Sequence, residues 1–426
     1  MPYSRREFIA SSSIAAASLS LPSVFAAPSP VTAARSGSLR VGLIGCGGRG
    51  TGAATDAMRA SPLVQLRAMA DLVPDRLATS RGHLAGESEL SPRILVKDED
   101  CYTGFDAYRR LLERSDIEAV IIAGPPGFRP AQVEAAIDAG KHVFMEKPVA
   151  VDPAGVRRVI AAAAKADEKK LCIVSGTQRR HEACYLEAIK RVHDGEIGPI
   201  VSARCYWNQG GLWVHARRPE YSDMEWQCRN WLYFTWLSGD HIVEQHIHNL
   251  DVMNWAMKST PLKVMGVGGR QVRTGPEYGH IYDHFGLEYE YPGGVSMHSM
   301  CRQIDGCPPR VEEVIVGTTG TLVTRPGYAR IEGAKPWRYS GDNPNPYEQE
   351  HVALFSAISE GRHVNEGRRV AESTLTAIMG RLAAYTGQTI TWEQAMNSTL
   401  DLTPANLAFG DLPTPEVAMP GRTKFV

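Results

Sequence analysis

The sequence has no Cys-x-x-Cys pair and no excess of charge of either sign. Its eight cysteines show no repeated spacing, and 46 Lys and Arg against 47 Asp and Glu leave a formal net charge of −1. A near-neutral chain has no overall attraction for nucleic acid or for an anionic membrane, so neither partner is expected. Most of the thiols are predicted to be free and buried, and Cys301 and Cys307 are the one close pair that could be bonded.

Long apolar runs are also missing. Beyond the N-terminal region the chain has no stretch of about 18 apolar residues, so no transmembrane helix and no membrane insertion are expected. Its 426 residues are 43% hydrophobic and 22% charged. This size and composition are typical of a globular protein with two or three domains.

The first residues have the pattern of a targeting segment. Ser4–Ile9 contains the pair Arg5 and Arg6, a weakly apolar Ala/Ser/Leu stretch follows, and small residues surround 24–26. This pattern predicts a twin-arginine (Tat) export signal with its linker over residues 1–38, and hence a periplasmic or otherwise exported protein. No Cys lies near the cleavage region, so a lipid anchor is not expected. The alternative is a disordered basic tail.

A glycine-rich motif follows the first predicted strand. The segment "LRVGLIGCGGRGTGAA" contains G-x-G-x-x-G and leads into a helical stretch, and a second strand ends at Asp71, 21 residues after Gly50. In a dinucleotide fold the glycines allow the tight turn, the approach of a pyrophosphate and helix–strand packing, while the carboxylate binds the ribose. NAD is therefore preferred to NADP. The predicted cofactor contacts here are Gly45, Gly47, Gly48, Arg49, Gly50 and Asp71.

Strands and helices alternate through the rest of this region. A helical pattern over Phe105–Glu113 precedes a buried-type strand at Ala119–Ala123, and a further helix precedes a strand at His142–Met145. The alternation predicts a doubly wound parallel sheet, an α/β domain over residues 39–165. Ligands of such sheets bind at the carboxyl ends of the strands.

These motifs make the chain resemble a known family. Gly45–Gly50, Asp71 and "AGKHVFMEKP" with Glu146-Lys147-Pro148 are similar to the Gfo/Idh/MocA oxidoreductases, which include glucose-fructose oxidoreductase and inositol dehydrogenase, over about 39–392. The resemblance implies that Lys147 touches nicotinamide and substrate and positions or protonates the reacting hydroxyl, and that the Lys-Pro bond is often cis. It adds Pro125, Glu146 and Lys147 to the cofactor contacts.

The chain departs from the family in one turn. Where many relatives have a His-rich segment after the strand ending near Ala123, this sequence has "PPGFRP" over 125–130. Arg129 is therefore a candidate for recognising a carboxylate or hydroxyl of the substrate. An ordinary loop arginine is an equal alternative.

Residues 166–426 are predicted to form the second domain. Strand-like runs with Pro-Gly-Gly and Gly-Thr-Thr-Gly turns begin with "LCIVSGTQRRH", and the last part of the chain is helical. The resemblance implies an α+β domain with a large open, predominantly antiparallel sheet, helices on one face and closing C-terminal helices. It also implies a homo-oligomer, a dimer or tetramer, because exposed sheet faces in this family pair.

The segment "GDHIVEQHIHNLDVMNWAM" concentrates the titratable residues. On one regular helix Glu244, His248 and Asp251 share a face, while His246 points roughly 160° away from His248. His246 and His248 therefore cannot share a metal ion, and no four-ligand set is completed nearby, so no metal is expected. The other interpretations are a polar face that meets solvent and, for His246, a histidine satisfied in the core.

The same residues suit acid–base chemistry. Removing a hydride from a carbinol carbon requires a group to take the hydroxyl proton, and a histidine oriented by a carboxylate is suited to this. The resemblance implies an acidic residue, three others, a catalytic His and an Asp three further on. Glu244, His248 and Asp251 match this pattern. The resemblance also implies that Arg179, Tyr206, Asn208 and Trp213 line the substrate cleft, and Tyr282 is a further candidate for reaching it. Packing within the sheet is an equal alternative for each of these residues.

An NAD-binding domain and an export signal must be reconciled. Free NAD is expected to be scarce outside the cytoplasm, so the cofactor should be bound tightly before export and restored in each cycle. The leading hypothesis is an NAD(H)-retaining oxidoreductase acting on a sugar or glycoside. One alternative is an NAD-dependent glycoside hydrolase that oxidises C3 transiently, eliminates the aglycone, adds water and returns the hydride. Another is a non-catalytic NAD-bound sugar-binding protein.

Overall fold

The computed structural model describes residues 37–426. The predicted export signal lies outside the described residues, apart from its last two positions. No helix in the described part of the chain is long and apolar enough to cross a membrane.

The first sheet has six parallel strands, as the alternating pattern predicts. Their order is β3-β2-β1-β4-β5-β6, so the chain starts in the middle and builds outward on both sides. The strands of residues 37–426 in this sheet are β1 Leu39–Ile44, β2 Val64–Asp71, β3 Cys101–Thr103, β4 Ala119–Ile122, β5 His142–Met145 and β6 Ile173–Ser175. The helices between them are α1 Gly48–Ala60, α2 Pro74–Gly86, α3 Ala107–Leu112, α4 Arg129–Asp138 and α5 Pro153–Lys169. Strands such as β4 (AVII) are apolar throughout because helices cover both faces of the sheet.

The sixth strand corrects the predicted domain limits. Ile173–Ser175 pairs in parallel with β5, so the first sheet continues ten residues beyond the predicted boundary at 165. The prediction that the segment "LCIVS" belongs to the second domain is wrong. A short apolar strand fits either sheet by its sequence, and the length and direction of α5 decide that it returns to the first.

The second sheet is large and mostly antiparallel, as the resemblance implies. Its order is β14-β13-β12-β11-β7-β10-β9-β8-β15, and β7 and β10 form the one parallel pair among the described strands of this second sheet. The strands are β7 Ile200–Gln209, β8 Lys263–Gly269, β9 His284–Tyr291, β10 Val295–Gln303, β11 Arg310–Gly317, β12 Gly320–Arg325, β13 Tyr328–Gly333, β14 Trp337–Arg338 and β15 Ile390–Thr391. The helices are α6 Ala183–His193, α7 Asp223–Arg229, α8 Thr235–Ser238, α9 His241–Glu244, α10 Ile247–Met257, α11 Pro346–Ser359, α12 Gly367–Thr386 and α13 Trp392–Asn397.

The two faces of this sheet differ. Side chains alternate along β10, where Met297, Ser299 and Cys301 are buried and His298 and Met300 are exposed. The buried face packs against α10 and α12 and contributes to the largest core cluster. The other face is uncovered in the single chain.

The C-terminal helices join the two sheets. Leu354 and Phe355 of α11 belong to the core cluster of the first sheet and share it with Phe144 of β5. Helix α12 packs against both α5 and β8. The predicted closing helices therefore cover the first sheet as well as the second. All eight cysteines are free, Cys301 and Cys307 included, in agreement with the prediction of mostly free thiols.

Candidate active site

The glycine-rich loop has the geometry that a bound dinucleotide needs. Gly45 has φ +94°, and a Cβ there would lie 2.3 Å from the amide nitrogen of Gly124, while a Cβ at Gly50 would lie 1.8 Å from the Gly45 carbonyl oxygen. Gly47 and Gly48 instead face open space. Two glycines are required by close backbone contacts, and two leave room for a pyrophosphate at the N-terminus of α1, as predicted.

Asp71 lies beside this loop, at the carboxyl end of β2. One carboxylate oxygen accepts from the Cys46 amide at 2.6 Å and the other from the Val73 amide at 2.8 Å. Burial raises the pKa of Asp71. A groove of about 710 Å³ starts at Gly47 and Gly48 and runs between α1 and α2. The loop, the carboxylate and the groove fit the adenosine and pyrophosphate parts of NAD.

Arg49 connects the glycine loop to two buried carboxylates. Its guanidinium lies 2.5 Å from Glu146 and 3.1 Å from Glu350 of α11, and 5.0 Å from the ring centroid of Tyr347. Burial, reinforced by Glu146, raises the pKa of Glu350. The predicted cofactor contacts Arg49 and Glu146 are therefore paired with each other. Glu146 directly precedes Lys147 in the chain.

Lys147 projects from a cis Lys147-Pro148 peptide bond, as the resemblance implies. Its ammonium group donates to the Glu244 carbonyl at 2.6 Å and to Oε1 of Glu244 at 3.0 Å. The two side chains are only 11% and 10% exposed, so the pair is shielded from bulk water. A lysine held in this way presents its remaining N–H to whatever lies beside it.

The prediction that Arg129 recognises the substrate is wrong. Its guanidinium is 2% exposed and donates to the carbonyls of Gly124 and Pro148. Burial lowers the pKa of Arg129 to about 10. Arg129 therefore stabilises the turns that contain Pro125 and Lys147, because two of its guanidinium nitrogens donate to backbone carbonyl oxygens.

His248 lies against the ring of Trp207. The two rings are stacked, with centroids 5.5 Å apart and planes 25° apart. Burial, followed by the nearby cations Lys147 and Arg179, lowers the pKa of His248 well below its usual value. The imidazole is therefore neutral at neutral pH. Within residues 37–426 neither ring nitrogen bonds to a protein atom, so a nitrogen is available to accept a proton.

The predicted single helix through this segment is wrong. Helix α9 ends at Glu244 and α10 starts at Ile247, and the His246 amide donates to the His241 carbonyl five residues back at 3.2 Å. Such a wide turn inserts one residue and rotates the next residues about the helix axis. As a result Glu244 pairs with Lys147 and does not orient His248.

Asp251 makes contacts that differ from those predicted. It is 1% exposed and accepts from Arg180 at 2.8 Å and from the Ser373 hydroxyl at 2.7 Å, with Arg369 at 3.5 Å. These partners tie α10 to α12. Asp251 is therefore a buried anion that holds two helices together, and the prediction of a catalytic Asp251 is wrong.

Arg179 lies behind the site. It is buried in an ion pair with Glu313, which also accepts from the Tyr185 hydroxyl at 2.9 Å and from the Asn249 amide at 2.7 Å. Its guanidinium carbon lies 5.4 Å from the ring of Trp207. The predicted substrate contact is wrong: Arg179 braces the aromatic ring on which His248 stacks.

The prediction that Tyr206 and Asn208 line the substrate cleft is wrong. They alternate with Cys205 and Trp207 along β7, and Tyr206 pairs in register with exposed Met300. They therefore lie on the uncovered face of the sheet, where Arg310 covers the Tyr206 ring at 3.7 Å. Trp207 is the residue of this strand that reaches the site. The sequence contained a signal for this position, because the small apolar residues Ala203 and Cys205 lie four and two residues earlier and so face the same side of the strand.

Tyr282 also lies away from the predicted substrate cleft. It is 2% exposed, its hydroxyl donates to the Ala418 carbonyl at 2.9 Å, and its ring packs on Tyr385. It fixes the C-terminal segment, so its predicted substrate contact is wrong. Trp213 is 42% exposed in the loop after β7, near Trp231, and its substrate contact stays a prediction.

Asp240 is a residue that the sequence pattern did not single out. Its φ is +75°, a conformation that non-glycine residues rarely adopt. The carboxylate accepts from the amides of His241 at 2.5 Å and Tyr282 at 2.8 Å and from the Tyr385 hydroxyl at 2.5 Å. These bonds hold the start of α9 and so place Glu244. In the part of the chain that the structure describes, no group of three or more His, Cys, Asp or Glu could hold a metal ion.

A dinucleotide-binding sheet, a cis Lys-Pro turn and a second open sheet define a two-domain NAD-binding oxidoreductase fold. Residues 39–175 match the model described as "Oxidoreductase family, NAD-binding Rossmann fold", and residues 185–323 match the "GFO/IDH/MocA C-terminal domain". The chain belongs to the Gfo/Idh/MocA oxidoreductase family.

Curated relatives include proteins named as a glycosyl hydrolase and as inositol dehydrogenases. A "Glycosyl hydrolase family 109 protein" of Streptomyces niveus is 29% identical over 48% of this chain and 39% of its own length. An "Inositol 2-dehydrogenase" of Salmonella typhimurium is 27% identical over 51% of this chain and 54% of its own. Another of that name, from Acidothermus cellulolyticus, is 25% identical over 78% and 86%. The chain thus spans about two fifths to just over half of the first relatives it matches.

Solved structures share the fold. Aldose-aldose oxidoreductase from Caulobacter crescentus, complexed with glycerol, has a TM-score of 0.65 at 20% identity, covering 83% of this chain and 99% of that one. Levoglucosan dehydrogenase in complex with NADH and levoglucosan has the same TM-score, identity and coverage. At this identity the likeness concerns the fold.

Proposed function

We propose that this protein is an exported NAD(H)-dependent oxidoreductase that acts on a sugar or glycoside by hydride transfer at a carbinol carbon and keeps its cofactor bound. The observation that carries the proposal is the pairing of Lys147 with Glu244 beside a neutral His248. A fixed cation and an unprotonated base, both shielded from water, are what removal of a hydroxyl proton requires.

Each residue of this group has a distinct task. The bound nicotinamide supplies the hydride acceptor and donor. His248 takes the proton of the substrate hydroxyl, and the ammonium of Lys147 holds the hydroxyl oxygen and stabilises negative charge as the proton leaves. Glu244 keeps Lys147 in place at 3.0 Å, and the Trp207 ring holds the imidazole plane.

Retention of the cofactor is a consequence of the proposed export. A Tat signal carries folded cargo, and an exported enzyme would find little free NAD. A second sugar or keto-sugar would then restore the cofactor within the same site. The Arg49 contacts to Glu146 and Glu350 support retention, because they close the glycine loop against α11.

A redox-neutral glycoside hydrolase is the second candidate, favoured by the similarity to the Streptomyces niveus protein. Oxidation at C3 would acidify the C2 proton, loss of that proton would expel the aglycone, water would add, and the hydride would return. Glu244 or His248 is the base for C2. Tyr206 is not, because it lies on the other face of the sheet.

The first test is the nucleotide content of mature protein purified from a Tat-competent host without added cofactor. After denaturation, NAD and NADH are quantified in the supernatant. Near one nucleotide per chain is expected, whereas an empty protein would contradict retention. Sugars and glycosides are then supplied without cofactor. Release of free reducing sugar from a glycoside with no second substrate identifies the hydrolase, and oxidation that requires a second sugar identifies the oxidoreductase.

A further inference from the structure

A second cavity, of about 320 Å³, lies at the ends of β7 and β10. Tyr233, Arg273 and Gln303 are buried and form its floor, and Gly211 and Asp305 are exposed at its rim. Small-molecule pockets range from about 300 to 1,000 Å³, so this one has room for a single ring.

The floor presents an unused hydrogen-bond donor. Arg273 donates to Oε1 of Gln303 and to the Tyr282 carbonyl, and Gln303 is 3% exposed. Arginine has donors only, so the contact fixes the amide with its oxygen toward Arg273 and its nitrogen away from it. Nε2 of Gln303 has no partner in the described part of the chain. A buried N–H of this kind requires an acceptor, which a ligand or an ordered water would supply.

The walls complete a mixed apolar and polar surface. The rings of Tyr233 and Tyr278 meet edge to face with centroids 5.4 Å apart, and the Tyr233 hydroxyl is held by the Trp213 carbonyl at 2.9 Å. The Asp305 carboxylate accepts from the Gly211 amide at 2.8 Å and has further acceptor capacity toward the rim. Aromatic rings against C–H groups, with an amide donor and a carboxylate acceptor, suit a hydroxylated ring.

The cavity adjoins the site of Lys147 and His248. Gln303 pairs with Gln209, and Cys301 pairs with Trp207, in parallel register. Residues two apart on a strand face the same way, so Gln303 and Trp207 share the helix-covered face. Strand rise and spacing put their Cα atoms about 8 Å apart. Nε1 of Trp207 also donates to Oε1 of Gln209 at 2.5 Å. This bond connects the ring that stacks on His248 to the strand end beside the cavity.

We infer that this cavity is a subsite for a second sugar ring of the substrate. The inference rests on the proposed function: the ring that reacts lies at Lys147 and His248, and the next ring along the glycoside lies between Tyr278 and Gln303. The substrate class is then a glycoside of at least two rings.

Matched pairs of substrates test the subsite. The probes are methyl β-glucoside with methyl β-cellobioside, methyl α-glucoside with methyl α-maltoside, and methyl β-N-acetylglucosaminide with methyl β-chitobioside. The rate of NADH formation in a single turnover of the retained cofactor, measured over a range of substrate concentrations, gives the maximal rate and the half-saturation concentration, here written KM, for each. For an accepted pair, the two-ring member is expected to have a KM lower by about tenfold, as one or two added hydrogen bonds would produce.

Gln303→Glu removes the donor and keeps the acceptor for Arg273. It should raise the KM of the two-ring substrate about tenfold and leave the one-ring substrate unchanged. Tyr278→Leu should act in the same direction, and Gln388→Glu, an exposed glutamine after α12, is the control. Equal effects on both substrates, or no preference for two rings, would overturn the subsite while leaving the proposed function standing.

Direct binding separates the two proposals. If no probe is oxidised, ligand-observed NMR with the same glycosides is run on the wild type and on Gln303→Glu. Two-ring binding that is lost in the variant supports the subsite although the proposed function fails. No binding, or binding that the variant keeps, overturns the subsite.

Discussion

At the scale of single residues, Lys147 and Glu244 form the pair on which the proposed chemistry depends. The ammonium group contacts two Glu244 oxygens at 2.6 and 3.0 Å and has one remaining N–H for a substrate. His248 beside them is neutral because burial and neighbouring cations lower its pKa. The site therefore combines an ion-paired lysine with a proton acceptor.

Lys147→Met should abolish most of the proposed activity. Methionine has a similar length but cannot hold the hydroxyl oxygen, so kcat should fall about a hundredfold or more. Single-turnover reduction of the retained cofactor measures it, and the bound nucleotide content is quantified in parallel so that the rate is expressed per bound cofactor. Lys165→Met, on the exposed surface of α5, is the matched control and should behave like the wild type. An unchanged rate in Lys147→Met would refute the assignment.

His351 is a buried residue whose protonation is tied to folding. Its ring lies 4.0 Å from that of Phe144 and 6.0 Å from that of Phe355, with both nitrogens unpartnered among residues 37–426. Burial lowers its pKa well below the usual value. The folded state thus keeps the ring neutral, and the unfolded state takes up a proton below about pH 6.5. Its contribution to stability is present above that pH and is lost as pH falls.

His351→Leu should therefore flatten the acid dependence of stability. Between pH 7 and pH 5 the free energy of unfolding should fall by about 2 kcal/mol less than in the wild type, since one histidine contributes about 1.4 kcal/mol per pH unit below 6.5. Urea unfolding at both pH values measures the difference. His83→Leu, on the surface of α2, should leave the wild-type drop intact. The same drop in His351→Leu would contradict the prediction.

At the scale of elements, strand β7 and the break between α9 and α10 shape the site. Alternation along β7 directs Trp207 toward the helices and Tyr206 away from them. The wide turn at His246 turns Glu244 toward Lys147 and leaves His248 on the Trp207 ring. Asp240, in a strained conformation held by three hydrogen bonds, fixes the start of α9.

Neighbouring residues of β7 provide a controlled test of this geometry. Trp207→Leu removes the surface that holds the imidazole, so kcat/KM should fall about tenfold, as loss of an aromatic contact in a site does. Tyr206→Leu, one position away and on the opposite face, should leave kcat/KM at the wild-type value. Steady-state kinetics on the best sugar found in screening compares them. Equal losses in both variants would show that the strand orientation is wrong.

The element scale also shows where sequence reasoning succeeded. Strand β5 lies at the residues that the sequence predicts, and the glycine loop and Asp71 lie together as expected. The predicted helix over 239–257 contains a break, because a wide turn leaves no mark in a 3.6-residue pattern. Arg129 and Arg179 became structural cations because packing, invisible in sequence, surrounded them with carbonyls and a carboxylate.

At the scale of the whole molecule, the uncovered face of the second sheet exposes several large apolar side chains. Met265, Val267 and Met300 are 57%, 72% and 50% exposed, and register pairing aligns Val267 and Met300 on either side of Gly286. Exposed apolar patches of this kind mark association surfaces. A homo-oligomer that pairs through this face is therefore expected.

Two arginine substitutions test the association. Met300→Arg and Val267→Arg place a charge in the centre of the patch, where burial without a partner is strongly unfavourable. Size-exclusion chromatography with light scattering should show the wild type as a dimer or tetramer and both variants as smaller species. Leu95→Arg, exposed on the first domain, is the control and should keep the wild-type mass. A monomeric wild type would contradict the prediction.

The sequence alone determined the two-sheet architecture, the dinucleotide loop, the carboxylate at the end of β2 and the Lys147 turn. The first sheet and the dinucleotide loop depend on local periodicity and on glycines whose backbone demands are visible in short motifs, whereas the open second sheet and the Lys147 turn were implied by the resemblance to a known family. Tertiary structure alone decided that Glu244 pairs with Lys147 and that the Trp207 ring stacks on His248. It also decided that four buried residues stabilise the scaffold: Arg129, Arg179, Asp251 and Tyr282. Contacts between side chains far apart in the chain depend on register, helix rotation and packing, and none of these is set by the identity of a residue and its immediate neighbours.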